Sequence, residues 1–326
     1  MKATIRDVAK EAGVSLGTVS KVINNKHVKE SSKQLVDLAI KKLNYKPNIY
    51  ARGMRTKNTE TIAIIVPTIW HPFFSEFVYY VEKNLSEIGK KLLICNSEGQ
   101  YEKEIEYINM VNQHKVDGII AITYSDIDKY INTNIPFVSI DRFFTKNVNY
   151  IMSDNYEGGR IAARKLIECG CRNIALVEAR SHIESDTMDR QRGFIYECEK
   201  LKKEYKIFAF NDYECDFEKF LDNFINENYK DNIKIDGIFA DNDIIAYRII
   251  EKLKKIDIDI PNDVQIIGFD GSRSCNEISE GISSIRQDVE LMAKKSVKAL
   301  MASIKEEGKI VRSVLPVTFR KGYTTK

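Results

Sequence analysis

Apolar residues return at helical spacing from the start of the chain. Residues 4–24 read TIRDVAKEAGVSLGTVSKVIN. Val14, Val19, Val22 and Ile23 give one apolar face. Small Ala9 lets a second helix cross close to the first, Gly13 can take the positive φ of a tight turn, and Thr4 and Ser15 are natural N-caps. The pattern predicts two helices joined by a turn, with Leu16, Gly17, Thr18, Ser20 and Lys21 near the outer face of the second. A third helix, capped by Ser31 or Ser32 and covering the first two with Leu35, Leu38, Ala39 and Leu43, would end the head near Tyr45. Pro47 closes it. The segment Ile49 to Arg55 carries Arg52 and Arg55 and is short of the ~12–15 residues an isolated helix needs. Gly53 costs it a further ~1 kcal/mol relative to Ala. Either it is a plain linker or it folds when it meets DNA and a second copy of itself, and pattern alone leaves both open.

From Thr61 short apolar runs alternate with amphipathic helices. Strands are expected at 62–66, 92–95, 118–122, 137–140 and 150–153, with helices at 73–88 and 102–114. A second set places strands at 174–177, 207–210, 237–240 and 264–269, and helices at 156–169, 189–205, 217–228 and 244–255. Such alternation means βαβ units around parallel sheets, here two lobes meeting at a cleft, where ligands bind beyond the carboxyl ends of strands. A last helix at 289–306 and a strand at 314–319 are expected to cross back between lobes. The fold class is therefore a small all-α helix-turn-helix head on a two-lobed α/β body with parallel sheets. The expected divisions are a head at 1–46, a hinge at 47–59 and a body at 60–326. Within the body, lobe 1 takes about 60–157 and 289–316, and lobe 2 about 158–288 and 317–326.

Charge sharpens the reading of the head. The 326 residues carry a net charge of +3. Residues 1–60 hold 13 Lys and Arg against 5 Asp and Glu, a net of +8, which leaves the remainder at −5. A basic head on a mildly acidic body implies that the head alone meets a polyanion, and a helix-turn-helix puts its second helix into the DNA major groove. The six cysteines include no CxxC pair, Cys169 and Cys171 have no histidine beside them, and the four histidines are scattered, so neither zinc nor a disulfide framework is expected. No signal-like N-terminus or membrane-length apolar run is present, which predicts a cytoplasmic protein. No GxxxxGK[ST] or GxGxxG loop occurs, and the nearest thing to a nucleophile elbow, GFDGS at 268–272, has Asp at its centre. No catalytic residue, cofactor or metal is expected, and enzyme function is disfavoured.

Several motifs in order resemble the lactose/galactose repressor (LacI/GalR) family of bacterial transcription regulators. They are VSLGTVSKVINN at 14–25, LNYKPN at 43–48, ARGMR at 51–55, VDGII at 116–120 and PFVSIDR at 136–142. DNYEGGRIAARKLIECGCRNIALV at 154–177, RQRGF at 190–194, IFADNDIIA at 238–246 and IPNDVQIIGFD at 260–270 continue the match to the end of the chain. The resemblance implies a periplasmic-binding-protein-like (type I) body and a homodimer on a pseudo-palindromic operator in double-stranded DNA. It implies DNA contacts from Thr4, Ser15, Leu16, Gly17, Thr18, Ser20, Lys21, Asn24, Tyr45, Asn48, Ala51, Arg52 and Met54. Leu16, Thr18 and Lys21 are the candidates for base contact, and Met54 for the apolar wedge in the minor groove. Lys21 stands where arginine is frequent and lacks its planar bidentate reach to guanine. Tyr45 either contacts phosphate or finishes the head's core.

The resemblance also implies a small-molecule effector, a sugar or sugar phosphate, held by paired polar groups and an apolar plate. The matching positions are Phe73, Phe74, Asp141, Arg142, Arg192, Asn242, Asp270 and Gln287. Asp243 is expected to cap the helix that begins there, while Trp70 and His71 either line the cleft or pack on its rim. An alternative within the class is a catabolite-control regulator whose partner is a phosphocarrier protein. A solute-binding protein of transport fits the body but would lack the DNA head. No leucine heptad follows Phe319, which favours a dimer over a tetramer.

Overall fold

The computed structural model describes residues 3–24, 26–45, 59–113, 115–131, 136–144, 148–180, 185–211, 216–273, 281–306 and 310–326. The chain divides into two compact units, Met1–Thr59 and Glu60–Lys326.

In the first unit, α1 (Ile5–Ala12) starts at Thr4, whose hydroxyl accepts from Asp7 N while Asp7 Oδ2 accepts from Thr4 N at 2.8 Å, a reciprocal capping box. Gly13 ends the helix at φ 62, where a side chain would be strained. Ser15 caps α2 (Leu16–Ile23) by accepting from Thr18 N at 3.1 Å. The third helix, α3 (Glu30–Lys42), starts earlier than expected. Lys29 precedes it without a side-chain cap bond, and Glu30 supplies a negative charge at its positive end, so neither Ser31 nor Ser32 is the cap. Its apolar face also differs: Val36 and Ala39, with Ile40 and Leu43 beside them, join Val8, Ala12, Val19 and Val22, whereas Leu35 and Leu38 point outward, Leu38 at 65% exposure. The expected hinge, with Asn48, Ala51, Arg52 and Met54, lies outside the described residues.

The second unit holds two six-stranded sheets. The first is built from β1 (Thr61–Val66), β2 (Lys91–Asn96), β3 (Gly118–Ile122), β4 (Phe137–Ile140), β5 (Asn149–Ser153) and β11 (Arg312–Leu315). Their order is β11-β5-β4-β3-β1-β2 and every neighbour is parallel. The second is built from β6 (Ile174–Arg180), β7 (Tyr205–Asn211), β8 (Gly237–Ala240), β9 (Gln265–Asp270), β10 (Ser283–Gln287) and β12 (Val317–Arg320). Their order is β12-β10-β9-β8-β6-β7, parallel except for β12 against β10. The central strands are apolar on both faces, as strands covered by helices on both sides must be.

The helices are α4 (Pro72–Glu87), α5 (Tyr101–Asn112), α6 (Asn155–Glu168), α7 (Asp189–Lys200), α8 (Phe217–Tyr229), α9 (Asp243–Lys254) and α10 (Val289–Ile304). α4 and α10 bury Phe77, Val81, Met292 and Leu300 against β1, β3 and β4 of the first sheet. α6 and α7 bury Ala162, Leu166 and Phe194 against the second. The chain therefore passes between lobes three times, after β5, after β10 and at Pro316. The expected single strand at 314–319 is two strands in two sheets. Pro316, which cannot donate to a ladder, is the break. β10, rich in serine and short of apolar alternation, was absent from the sequence reading.

Candidate functional site

Strand order puts the site at the sheets' carboxyl edges. In each lobe the first strand lies between the second and the third, so chain direction reverses its progress across the sheet there, and a crevice opens above that point. A cavity of about 570 Å³ occupies it, walled by both lobes. The first lobe contributes Thr68, Trp70 and His71 beyond β1, Phe73 and Phe74 from the first turn of α4, Asn96 from β2, and Tyr124 and Asp141 beyond β3 and β4. The second contributes Glu178 and Arg180 from β6, Arg190 and Gln191 from α7, Asp241 and Asn242 beyond β8, Asp270 from β9 and Gln287 from β10.

Two carboxylates stand at matching places, Asp141 at the end of β4 and Asp270 at the end of β9. Both have positive φ, 50° and 100°. Asp141 Oδ1 accepts from Ser153 N at 3.2 Å, and Asp270 Oδ1 accepts from Gln287 Nε2 at 2.7 Å. Burial pushes Asp141 up to about 6, opposed by Arg190. Asp270 is also raised, by burial, and Asp243 behind it is raised further, to about 8, by burial and by the Asp270 charge. His71 lies tilted against Phe74, ring centroids 4.6 Å apart, and burial with the Arg190 charge lowers it to about 4, so the ring is neutral at physiological pH.

Arg190 is the central cation. Its guanidinium lies over the Phe269 ring, 3.7 Å from the centroid. Nε donates to Asn155 Oδ1 at 2.9 Å and Nη1 to Asp241 O at 2.7 Å. Asp241 Oδ1 and Asp270 Oδ1 lie 3.6 and 4.0 Å from its amino groups. Its place depends on close packing of α6 on α7: a Cβ at Gly159 would lie 1.9 Å from Arg190 O, and one at Gly193 1.9 Å from Tyr156 O.

The cavity wall thus brings together Phe73, Phe74, Asp141, Asn242, Asp270 and Gln287 from the expected set. Two expected residues lie elsewhere. Arg192 points away, 57% exposed and paired with Asp189 at 2.7 Å, because two steps along a helix reverse the face, and Arg190 holds the position instead. Arg142 is buried inside the first lobe, donating to Ser125 O and to Asp128 at 2.8 Å over the Phe144 ring, since the left-handed turn at Asp141 sends neighbouring side chains apart. Asn242, not Asp243, caps α9 by accepting from Ile245 N at 2.9 Å, and Asp243 accepts from Ser284 at 2.6 Å. Trp70 and His71 both line the wall, Trp70 89% exposed. Arg190, Asp241, Glu178 and Tyr124 went unnamed in the sequence reading, although three of them sit at or just beyond a predicted strand's carboxyl end.

In the head, Leu16, Gly17 and Lys21 are exposed, while Thr18, Ser20 and Asn24 are half-buried. The Thr18 hydroxyl bonds to Ser15 at 2.9 Å, and Asn24 Nδ2 donates to Ser20 O at 2.7 Å. Tyr45 packs against the head's apolar cluster. Among the described residues, no helix is long and apolar enough to cross a membrane and no His, Cys, Asp and Glu group could hold a metal.

Comparison with known proteins covers both units. The profile of bacterial regulatory proteins, lacI family, matches residues 4–48, and that of a periplasmic binding protein-like domain matches residues 163–325. The sucrose operon repressor of Streptococcus mutans is 34% identical over 99% of this chain and 99% of its own length. The ribose operon repressor of Bacillus subtilis is 31% identical over 99% of each. A periplasmic binding protein/LacI transcriptional regulator of Alkaliphilus metalliredigens, solved with D-xylulofuranose, superposes with a TM-score of 0.72 at 32% identity, covering 82% of this chain and 99% of that one. The lac repressor dimer bound to operator shares the fold at a TM-score of 0.84 and 20% identity, over 99% of both chains.

Proposed function

Because the chain belongs to the lacI family of bacterial regulatory proteins, we propose that it is a repressor that binds a pseudo-palindromic operator as a homodimer, its grip set by a sugar in the cleft. The observation that carries the effector half is the meeting of Asp141, Asp270 and Arg190 beside Phe73 and Phe74. Carboxylates and a guanidinium each engage two hydroxyls, and aromatic rings take the apolar face of a sugar ring. The DNA half rests on the capped helix-turn-helix and on a net charge of +8 over residues 1–60. In this reading Leu16, Thr18 and Lys21 meet base edges and Ser20 meets the backbone. The protein acts by binding alone, in the compartment that holds its DNA.

Selecting duplexes from a random pool with the full-length protein, with and without sucrose, ribose and D-xylulose, tests the proposal. Enrichment of a two-fold symmetric site whose retention changes with one of these sugars is the expected result. No preferred duplex, or a preferred duplex indifferent to all three, overturns it.

A further inference from the structure

The polar groups around the cavity are unevenly matched. Among the described residues five carboxylates line it, Glu98, Asp141, Glu178, Asp241 and Asp270, against two guanidinium groups, Arg180 and Arg190, and of the five Glu98 alone is paired with a lysine from outside the wall, Lys103 at 2.6 Å. Both cations already have partners. Arg180 pairs with Glu178 at 2.9 Å, and Arg190 lies between Asp241 and Asp270. His71 adds no charge, being neutral, and burial pushes Glu178 up to about 7, so the wall carries its full negative charge only above that pH, which is where the binding measurements belong. A further observation points to the complementary chemistry. Gln287 is fully buried on the wall, donates its amide nitrogen to Asp270, and leaves Oε1 without a partner. An orphaned acceptor, with Asp141 and Asp270 each anchored through Oδ1, calls for hydrogen-bond donors. A sugar hydroxyl supplies them, and an ionised phosphate monoester, which only accepts, does not.

The free N–H groups at helix starts do not reverse this balance. α9 is capped by Asn242 and α10 by Asp288, each taking one N–H, and at α7, which has no side-chain cap, the preceding turn takes Met188 N onto Ser185 O and Asp189 N onto Asp186 O. At α4, His71 provides no side-chain cap and Pro72 lacks an N–H, so that end offers few donors.

Resting on the reading of the cleft as a sugar site, we propose that the effector is an unphosphorylated sugar and that the carboxylate ring excludes its phosphate esters. The regulator then reports the sugar before the phosphoryl transfer that commits it to breakdown, or after the hydrolysis that frees it.

Calorimetry on the full-length protein with sucrose, ribose and D-xylulose, each beside its own phosphate ester, decides the matter. The free sugar that binds should do so roughly a hundredfold more tightly than its ester, as two added negative charges facing a negative wall require. A neutral ether of similar bulk at the esterified carbon should bind within about tenfold of the parent, since bulk is not the barrier. In a Glu178→Gln/Asp241→Asn variant the gap should narrow by about tenfold. An ester that binds as well as its parent sugar, or an ether rejected as strongly as the ester, overturns the selectivity and leaves the sugar reading intact. A panel in which no sugar and no ester binds overturns both.

Discussion

Asp141 and Asp270 occupy equivalent strand ends in the two lobes, and both are held in a backbone region that side chains seldom adopt. Asn tolerates that region and keeps an acceptor for Ser153 N, so Asp141→Asn isolates the charge. The Asp141 carboxyl titrates near 6 in the folded chain against 3.8 for a free one. The folded state thus holds its proton more readily between those values, stability falls as pH rises through that window, and the full cost of the charge is present above it. Asp141→Asn should therefore stabilise the effector-free protein by about 1–3 kcal/mol at pH 7.5 and by little at pH 4, while weakening sugar binding. Denaturant melts at the two pH values check this, and equal stabilisation at both would contradict it. Arg190 and Arg192 give a second contrast. Arg190→Met should cost the sugar response about a hundredfold or more, and Arg192→Ala should leave it within about threefold, measured by operator release. The sequence carries both arginines in one RQRGF run, and nothing in that run says which one faces the cleft. Helix phase decides it, and here the phase is set by Gly159 against the Arg190 backbone and Gly193 against the Tyr156 backbone, contacts between residues far apart in the chain. Asn242 lines the cavity as expected, and the cap assigned to Asp243 moved back one residue because Asn242 is still extended and its side chain reaches Ile245 N while Asp243 is already helical. By contrast Asp141 and Asp270 end strands that the apolar runs already mark, and a strand end in a parallel sheet implies the cleft, whereas Gln287 ends the unpredicted β10 and was reached only through the resemblance.

At the scale of elements, α6 and α7 touch through their glycines. Gly159→Ala should force the helices apart, because its new methyl would meet a backbone oxygen and not a movable side chain. A loss of about 3 kcal/mol or more is expected from thermal melting, together with a displaced Arg190 and a lost sugar response. A second element-level contact ties the lobes. Glu76 on α4 accepts from both amino groups of Arg286 on β10, at 2.6 and 3.0 Å, and from Arg273 N at 2.9 Å. Neither Glu76 nor Arg286 lines the cavity, yet the pair joins the two lobes that wall it. Glu76→Gln should weaken sugar binding by about tenfold through a smaller closed fraction, with small-angle scattering showing a more open body. Unchanged affinity would mean that the pair is only a local support. Most helix and strand positions were legible because their periods differ. The exceptions are physical: Leu35 and Leu38 look like core until Val36 and Ile40 take the buried face, and β10 carries serines where a sheet strand usually carries valine or isoleucine.

At the scale of the molecule, the chain joins a basic unit to an acidic one. With a net of +8 over residues 1–60 in each of two copies, operator affinity should fall steeply with salt, by about a thousandfold between 50 and 200 mM. Sugar affinity should stay nearly flat across the same range, since the sugar proposed is uncharged. Filter binding and calorimetry at matched salt separate the two, and a flat operator curve would argue against a phosphate-gripping head. The effector can change operator affinity only by the factor with which it favours one lobe arrangement over another. The last two strands, β11 and β12, are separated by Pro316 alone and close opposite sheets. During synthesis, then, the head can fold while it leaves the ribosome, but neither lobe has all its strands until the stretch Arg312–Arg320 emerges. A stop ahead of Arg312 would leave a finished head on a receptor in which both sheets lack an edge strand, so one truncation would disable both lobes at once.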